Sequence, residues 1–311
     1  MLNKLIINFI LYGGISIKLL SIIQNNKTVL GIQTDQGILN LESILGKYPN
    51  NTVPTDIMEV INRGREAVKS INNYLDDIPK TAKVYMDEPS AWGPAITTPE
   101  KIICVGLNYR KHADETNSPY PKEPILFNKF NNTLTGHKHN IKVPKTTGQL
   151  DYEVELGIVI GKTAKEVAKE DAFDYVFGYV TANDLSARDL QFRTGQWLLG
   201  KSCDGFTPVG PYLVTSDEIE DPNNLHLKTT VNGKVRQESN TSDMIFDCKE
   251  IISYISKHMT LSPGDLILTG TPEGVVLGEP EEERIYLKPG DEVSVEIENL
   301  GKLTNRFISD N

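Results

Sequence analysis

Leu150-Asp-Tyr-Glu-Val-Glu-Leu-Gly157 is the stretch from which the rest of this chain is read. Carboxylates at Asp151, Glu153 and Glu155 alternate with Tyr152, Val154 and Leu156. A period of two marks a strand and places Glu153 and Glu155 on the same side of it. A second apolar run, Val180-Thr-Ala-Asn-Asp-Leu-Ser-Ala-Arg-Asp189, reaches Asp184 just before a predicted helical turn. Two readings are open. One is a half-buried strand with a solvated acidic face. In the other, Glu153, Glu155 and Asp184 converge on a hard divalent cation, because oxygen ligands suit Mg²⁺, Mn²⁺ or Ca²⁺. Like charges two residues apart repel, and no basic residue lies within the segment to neutralise them. A cation would remove that conflict.

Outward from this stretch the chain continues as short strands separated by Gly, Pro, Asn and Asp turns. Lys101–Val105, Ile125–Asn128, Asp151–Ile160, Tyr175–Ala182, Gly210–Thr215, Leu227–Val231, Asp265–Thr269 and Glu292–Ile297 all read this way. Asn232-Gly233 between two such runs signals a two-residue hairpin. One helix interrupts them. Asp247-Cys-Lys-Glu250 has capping-box spacing, and Cys248, Ile251, Ile252 and Ile255 form its inward stripe. Regular strand–helix alternation is missing, so the fold class is α+β, a β-rich mixed sheet rather than a doubly wound parallel one.

Residues 15–90 read as a small N-terminal α/β domain. Strand patterns at Ile15–Ile23, Thr28–Thr34 and Gly37–Leu41 precede a helix capped by Thr55, with Ile57, Val60, Ile61, Val68, Ile71 and Tyr74 at helical spacing. Prolines and a glycine mark residues 91–100 as a linker, and residues 101–311 carry the chemistry. Leu5 to Tyr12 is apolar, but no small-residue cleavage site follows, and Lys18 interrupts it before it could span a bilayer. Residues 1–14 are therefore expected to be a tail or a start-site extension.

A 39% apolar and 24% charged composition is that of an ordinary soluble globular protein. The net charge of −10 argues against a nucleic-acid binder and against docking on anionic membranes. Cys104, Cys203 and Cys248 are too sparse for a disulfide framework or zinc site, which points to reduced thiols in a cytoplasmic protein.

Further residues bear chemistry. His112 and Glu115 stand one helical turn apart, so the carboxylate can fix the imidazole tautomer of a general base; an exposed charged turn would share this pattern. Lys201, amid apolar residues, is a candidate for anion stabilisation or a snorkelling lysine. Arg188 and Gln191 would stand at the rim of any pocket built on Asp184. The glycine-rich Leu268-Thr-Gly-Thr-Pro-Glu-Gly274 is no P-loop, yet it offers N–H groups to a carboxylate. His137 and His139 read as part of a turn.

With these residues laid out, the stretch from about Lys101 to Phe307 resembles the fumarylacetoacetate hydrolase family, in its short form. The resemblance rests on Val105-Gly-x-Asn-Tyr109 leading to His112, Leu150-Asp-Tyr-Glu-Val-Glu-Leu156, Asn183-Asp-x-x-Ala-Arg-Asp189, Gly200-Lys-Ser202, Val231-Asn-Gly233, Asp243-Met-Ile245 and Thr269-Gly-Thr-Pro272, in that order. It implies a rolled mixed sheet in a homodimer. It implies Glu153, Glu155 and Asp184 as ligands of Mg²⁺ or Mn²⁺, and His112 with Glu115 as a water-activating dyad. Lys201 would stabilise an oxyanion, and Lys129, Arg188, Gln191 and Thr271 would line a pocket for a small keto acid. One departure is visible. The name-giving enzyme has a fourth carboxylate ligand seven residues before the catalytic histidine, where this chain has Val105, which argues against fumarylacetoacetate itself as substrate. The expected activity is metal-dependent hydrolysis of a C–C bond in a 2,4-diketo acid, releasing pyruvate. Alternatives are oxaloacetate decarboxylation, isomerisation or decarboxylation of 2-hydroxyhepta-2,4-diene-1,7-dioate, and ureidoglycolate lysis. The non-enzyme alternative is a catalytically silent dimeric binding protein.

Overall fold

The computed structural model describes residues 17–310; the tail expected at residues 1–14 lies outside them. The expected strands pair into two large sheets, both open rather than closed into a barrel. The larger has ten strands, in the spatial order Tyr85–Met86, Gly37–Asn40, Lys27–Thr34, Lys18–Gln24, Leu213–Thr215, Val176–Asn183, Val154–Ile160, Leu266–Leu268, Ile102–Gly106 and Ile125–Lys129. Its pairs are antiparallel except for Leu266–Leu268 against Ile102–Gly106. The smaller sheet has five strands, from Lys234–Asn240 through His226–Val231, Glu292–Ile297 and Gly301–Ser309 to Asn140–Val143.

Val154–Ile160 lies deep in the larger sheet and is buried along its whole length. Leu156, Ile158 and Ile160 enter a core shared with the five-stranded sheet, where they meet Leu227, Val295 and Phe307. Val159 enters a second core, with Val60, Ile61, Val68 and Ile71 of the N-terminal helices. Burial on both faces accounts for the unbroken apolar run here, where a one-sided strand would alternate. The antiparallel contact of Lys18–Gln24 with Leu213–Thr215 makes the N-terminal strands part of the same sheet.

Three local readings are corrected. The strand expected over residues 151–160 breaks at Tyr152-Glu153. Leu150–Asp151 pairs instead with Ser186–Ala187, and Glu153 donates its N–H to Asn183 Oδ1 (3.0 Å). The single N-terminal helix is two, Ile57–Arg63 and Arg65–Asp77, split at Gly64 with φ +62°, and the first is capped by Asp56 rather than Thr55. A left-handed glycine ends the first helix and leaves the apolar periodicity almost undisturbed, so the spacing alone could not show it. Residues 91–100, read as a linker, pack against the sheet: Ala95 and Ile96 are buried, and Gly93 N–H donates to Ser21 O (2.7 Å).

The hairpin forms as read, with Asn232 (φ 50°) and Gly233 (φ 77°) both left-handed. The helix Cys248–His258 also forms, and Asp247 accepts from Glu250 N–H at 2.8 Å. Asp247→Ala is expected to destabilise the protein by about 0.5–2 kcal/mol, the range for a lost N-cap. A lower midpoint in urea denaturation checks this. No helix among the described residues is long and apolar enough to cross a membrane.

Candidate active site

The two-sided burial of the central strands carries their carboxylates inside. Asp151, Glu153, Glu155 and Asp184 are 0–5% exposed, so the solvated acidic face is not what the sequence pattern encodes. Carboxylate oxygens of Glu153, Glu155 and Asp184 lie within 4.8 Å of one another. The Glu153 backbone takes part directly, since its carbonyl accepts from Asp184 N–H (2.9 Å) and so seats one ligand beside the next.

Basic residues arrive from distant segments. Lys201 Nζ donates to Glu153 Oε2 (2.8 Å) and Asp184 Oδ2 (2.7 Å). Arg188 forms ion pairs with Glu153 Oε1 (2.7 Å) and Asp151 Oδ2 (2.9 Å), and its Nη1 donates to Gln191 Oε1 (2.9 Å). Lys129 donates to Asp184 Oδ1 and to Phe206 O (2.7 Å). Its side chain is fully buried against Asp184, and it is not among the residues that line the cleft described below.

The charges do not balance. Among the described residues four carboxylates face three cations, and Glu155 meets none of those three; its Oε2 accepts Gly270 N–H (2.8 Å). Burial, and then Asp184 and Glu153, push the Glu155 carboxyl well above the usual range. Burial also opposes ionisation of Glu153, but Lys201 and Arg188 outweigh it and hold Glu153 down at about 2. Burial disfavours the Lys201 cation, yet Asp184 and Glu153 hold it firmly charged. A cluster of hard oxygen donors with an excess negative charge fits a divalent cation held by Glu153, Glu155 and Asp184.

This makes a prediction. Mg²⁺ or Mn²⁺ should stabilise the fold, by about 2.7 kcal/mol at a concentration 100 times Kd. Glu155→Gln should abolish that gain while leaving the metal-free protein as stable or more so, because it removes the uncompensated carboxylate. Thermal unfolding with and without metal measures both.

His112 and Glu115 lie on the short helix Arg110–Glu115, where His112 is 6% exposed and its Nδ1 is 2.7 Å from Glu115 Oε1. His112 is buried and Glu115 half-buried, so the pair is not an exposed charged turn. Asn108 pins the start of the helix by donating to Thr269 O (2.7 Å) and Phe246 O (3.1 Å). Gly274 N–H donates to the other Glu115 oxygen (2.8 Å). With Nδ1 engaged, Nε2 is the ring nitrogen free for another proton.

A cleft of about 120 Å³ joins the two groups. His112, Glu153, Glu155, Arg188, Gln191, Lys201 and Thr271 line it. Its apolar wall is Val105, Leu107, Phe127, Trp197 and Leu277. Trp197 packs edge-on against Phe127 (5.3 Å between ring centroids) and fills the space that a side chain at Gly106 would take. Thr271 is itself held by Gln237 Nε2 (2.9 Å). His137 and His139 take no part. His137 Nδ1 accepts from Thr304 N–H (3.0 Å), and burial lowers its pKa to about 4. The sequence reading missed Asp151 as the partner of Arg188, and Gly274 and Gly278 as neighbours of Glu115. The glycines at 270, 274 and 278, four residues apart, were the available signal.

Residues 101–308 match the family model described as fumarylacetoacetate (FAA) hydrolase C-terminal. The mitochondrial oxaloacetate tautomerase fahd2 of Xenopus laevis is 44% identical over 262 residues, covering 83% of this chain and 80% of its own. A fumarylacetoacetate hydrolase from psychrophilic Exiguobacterium antarcticum superposes with a TM-score of 0.80 at 33% identity, covering 94% of this chain and 99% of its own. The 2-hydroxyhepta-2,4-diene-1,7-dioate isomerase of Mycobacterium marinum does so with a TM-score of 0.68 at 31% identity, covering 95% and 99%. With the family model spanning the segment that carries every carboxylate, lysine and histidine of the cleft, the chain belongs to the fumarylacetoacetate hydrolase family of enzymes.

Proposed function

We propose that this chain interconverts the keto and enol forms of oxaloacetate with the help of Mg²⁺ or Mn²⁺. The observation that carries the reading is the frog relative, named for this activity and similar over 83% of the chain. The cleft suits it. The one excess negative charge of the buried cluster of four carboxylates and three cations becomes one positive charge with a divalent cation, which complements a dicarboxylate anion. Glu153, Glu155 and Asp184 would hold the cation, which when bound supplies Lewis-acid polarisation of a chelating 2-keto oxygen.

The protein groups do the rest. Glu115 keeps the proton on His112 Nδ1, so Nε2 is poised to accept one. The C3–H bond of oxaloacetate breaks with its proton passing to Nε2. The electron pair forms the C2–C3 double bond, and the C2 oxygen takes that proton back from His112 Nε2, which returns the imidazole to its starting state; ketonisation reverses these steps. Lys201 spends two of its three N–H donors on Glu153 and Asp184 and keeps one for negative charge developing on the substrate oxygen. Phe127, Trp197 and Val105 keep water from the reacting carbon.

The acylpyruvate hydrolysis expected from the sequence gives way to this reading. Tautomerisation needs a base and a polarised carbonyl but no attacking water, and a named isomerase stands among the similar structures. Decarboxylation of oxaloacetate shares the enol chemistry and is the second reading. The three cysteines are free, which suits either the cytoplasm or a mitochondrial matrix, and the frog relative is named as mitochondrial. A homodimer is part of the proposal and is read by light scattering.

The test is the loss of oxaloacetate enol absorbance in the presence of Mn²⁺, with pyruvate release measured in parallel from oxaloacetate and from acylpyruvates. Enol loss well above the uncatalysed rate, with little pyruvate, is the expected result. Pyruvate from oxaloacetate would make the chain a decarboxylase, and pyruvate from acylpyruvates alone a hydrolase. Inactivity on all of these would support a silent binding protein.

A further inference from the structure

Asp151 is fully buried and is not one of the three clustered ligands. Its Oδ1 accepts from Tyr152 N–H (2.8 Å) and Val276 N–H (3.0 Å). Its Oδ2 accepts from Leu277 N–H (3.1 Å) and Arg188 Nε (2.9 Å). Each of these four partners is a donor, and a carboxylate without a proton meets them with acceptors alone. An amide at this position would turn its NH₂ toward two of them.

The two ends of this arrangement lead to different parts of the site. Arg188 contacts Glu153 and Gln191. Val276 and Leu277 belong to a loop that closes on the dyad. Gly274 N–H donates to Glu115 Oε2. A Cβ built on Gly278 would stand 2.5 to 2.9 Å from the Glu115 carboxylate atoms, so the bare glycine backbone lies directly against that group. The loop thus limits where Glu115 can go, and Asp151 limits where the loop can go.

We propose that Asp151 is a positioning residue that ties the Gly274–Gly278 loop to Arg188, holding Glu115 of the dyad in register with the carboxylate cluster. It touches no reacting atom and acts through its four donors. The activity arm of its test rests on the tautomerase reading, and the structural arm does not.

The structural arm is hydrogen exchange on the full chain without metal. Asp151→Asn should speed exchange of the Gly274, Val276 and Leu277 amides by about tenfold or more, as expected when a buried backbone hydrogen bond is lost. Unchanged exchange would overturn the proposal. The activity arm uses Gly278→Ala, which adds a methyl group against Glu115 and leaves Asp151 untouched. It should lower kcat for oxaloacetate about tenfold or more in the wild-type background and cause no further loss in His112→Ala, because both changes act through one dyad. Equal losses in the two backgrounds would show that the loop does not act through Glu115 and would overturn the proposal. A wild-type protein inactive on oxaloacetate would instead sink the tautomerase reading, and the exchange result would then decide on Asp151.

Discussion

Replacing His112 with alanine is expected to lower kcat for oxaloacetate tautomerisation by about 10²–10⁴-fold, the contribution of a positioned general acid or base. The imidazole is buried, its Nδ1 is engaged by Glu115 at 2.7 Å, and it lines the same cleft as Glu153 and Glu155. It is outside the cluster of carboxylate ligands, so Mn²⁺ affinity should be unchanged. Calorimetric titration alongside turnover separates the two effects. Glu115→Gln should cost less. The amide oxygen can still accept from Nδ1, but its NH₂ then faces Gly274 N–H, a donor against a donor. A His112→Ala enzyme with nearly wild-type kcat would remove the dyad from proton transfer.

Lys201→Met should have the largest effect on the metal-free protein. The lysine is 3% exposed at its side chain and pairs with both Glu153 and Asp184. Its stem also brings Nζ within 5.0 Å of the Phe127 ring centroid. Methionine keeps most of that packing and removes the charge. Two buried carboxylates then lose a shared partner, which costs about 3–5 kcal/mol for a broken buried ion pair. Added Mn²⁺ should return much of this, since a cation among the carboxylates replaces the missing charge. Turnover at saturating metal should still fall by about 10²–10³-fold, the usual loss for one removed oxyanion donor. Thermal unfolding with and without Mn²⁺, and kcat at saturating Mn²⁺, measure the two effects. Equal metal-free stability would mean that Lys201 does not neutralise the cluster. Retained turnover would confine it to a structural role.

Much of the site is legible in sequence because its parts are local. The carboxylates lie in two short segments, His112 and Glu115 share one helical turn, and the Asn232-Gly233 hairpin and Asp247 cap depend on adjacent residues. What misleads the reading is also local. Alternation at Asp151, Glu153 and Glu155 looks like a solvated face, because a strand buried on both sides can place its carboxylates inward only when distant residues compensate them. Gly64 splits a helix whose apolar spacing runs on across the break. Lys129, placed in the pocket by the resemblance, is fully buried against Asp184 and Phe206 O, contacts that only the fold shows.

Sequence by itself determined the β-rich α+β class, the family resemblance and the chemical types that meet in the cleft, since periodicity and motif order need no knowledge of distance. Only the tertiary structure decided which charge answers which. Lys201 reaches Glu153 across 48 positions, and Asp151 holds Val276 across 125. Such pairings are set by how the two sheets and their connecting loops pack. The net charge at Glu155, and the grip of the loop on Glu115, follow from that packing.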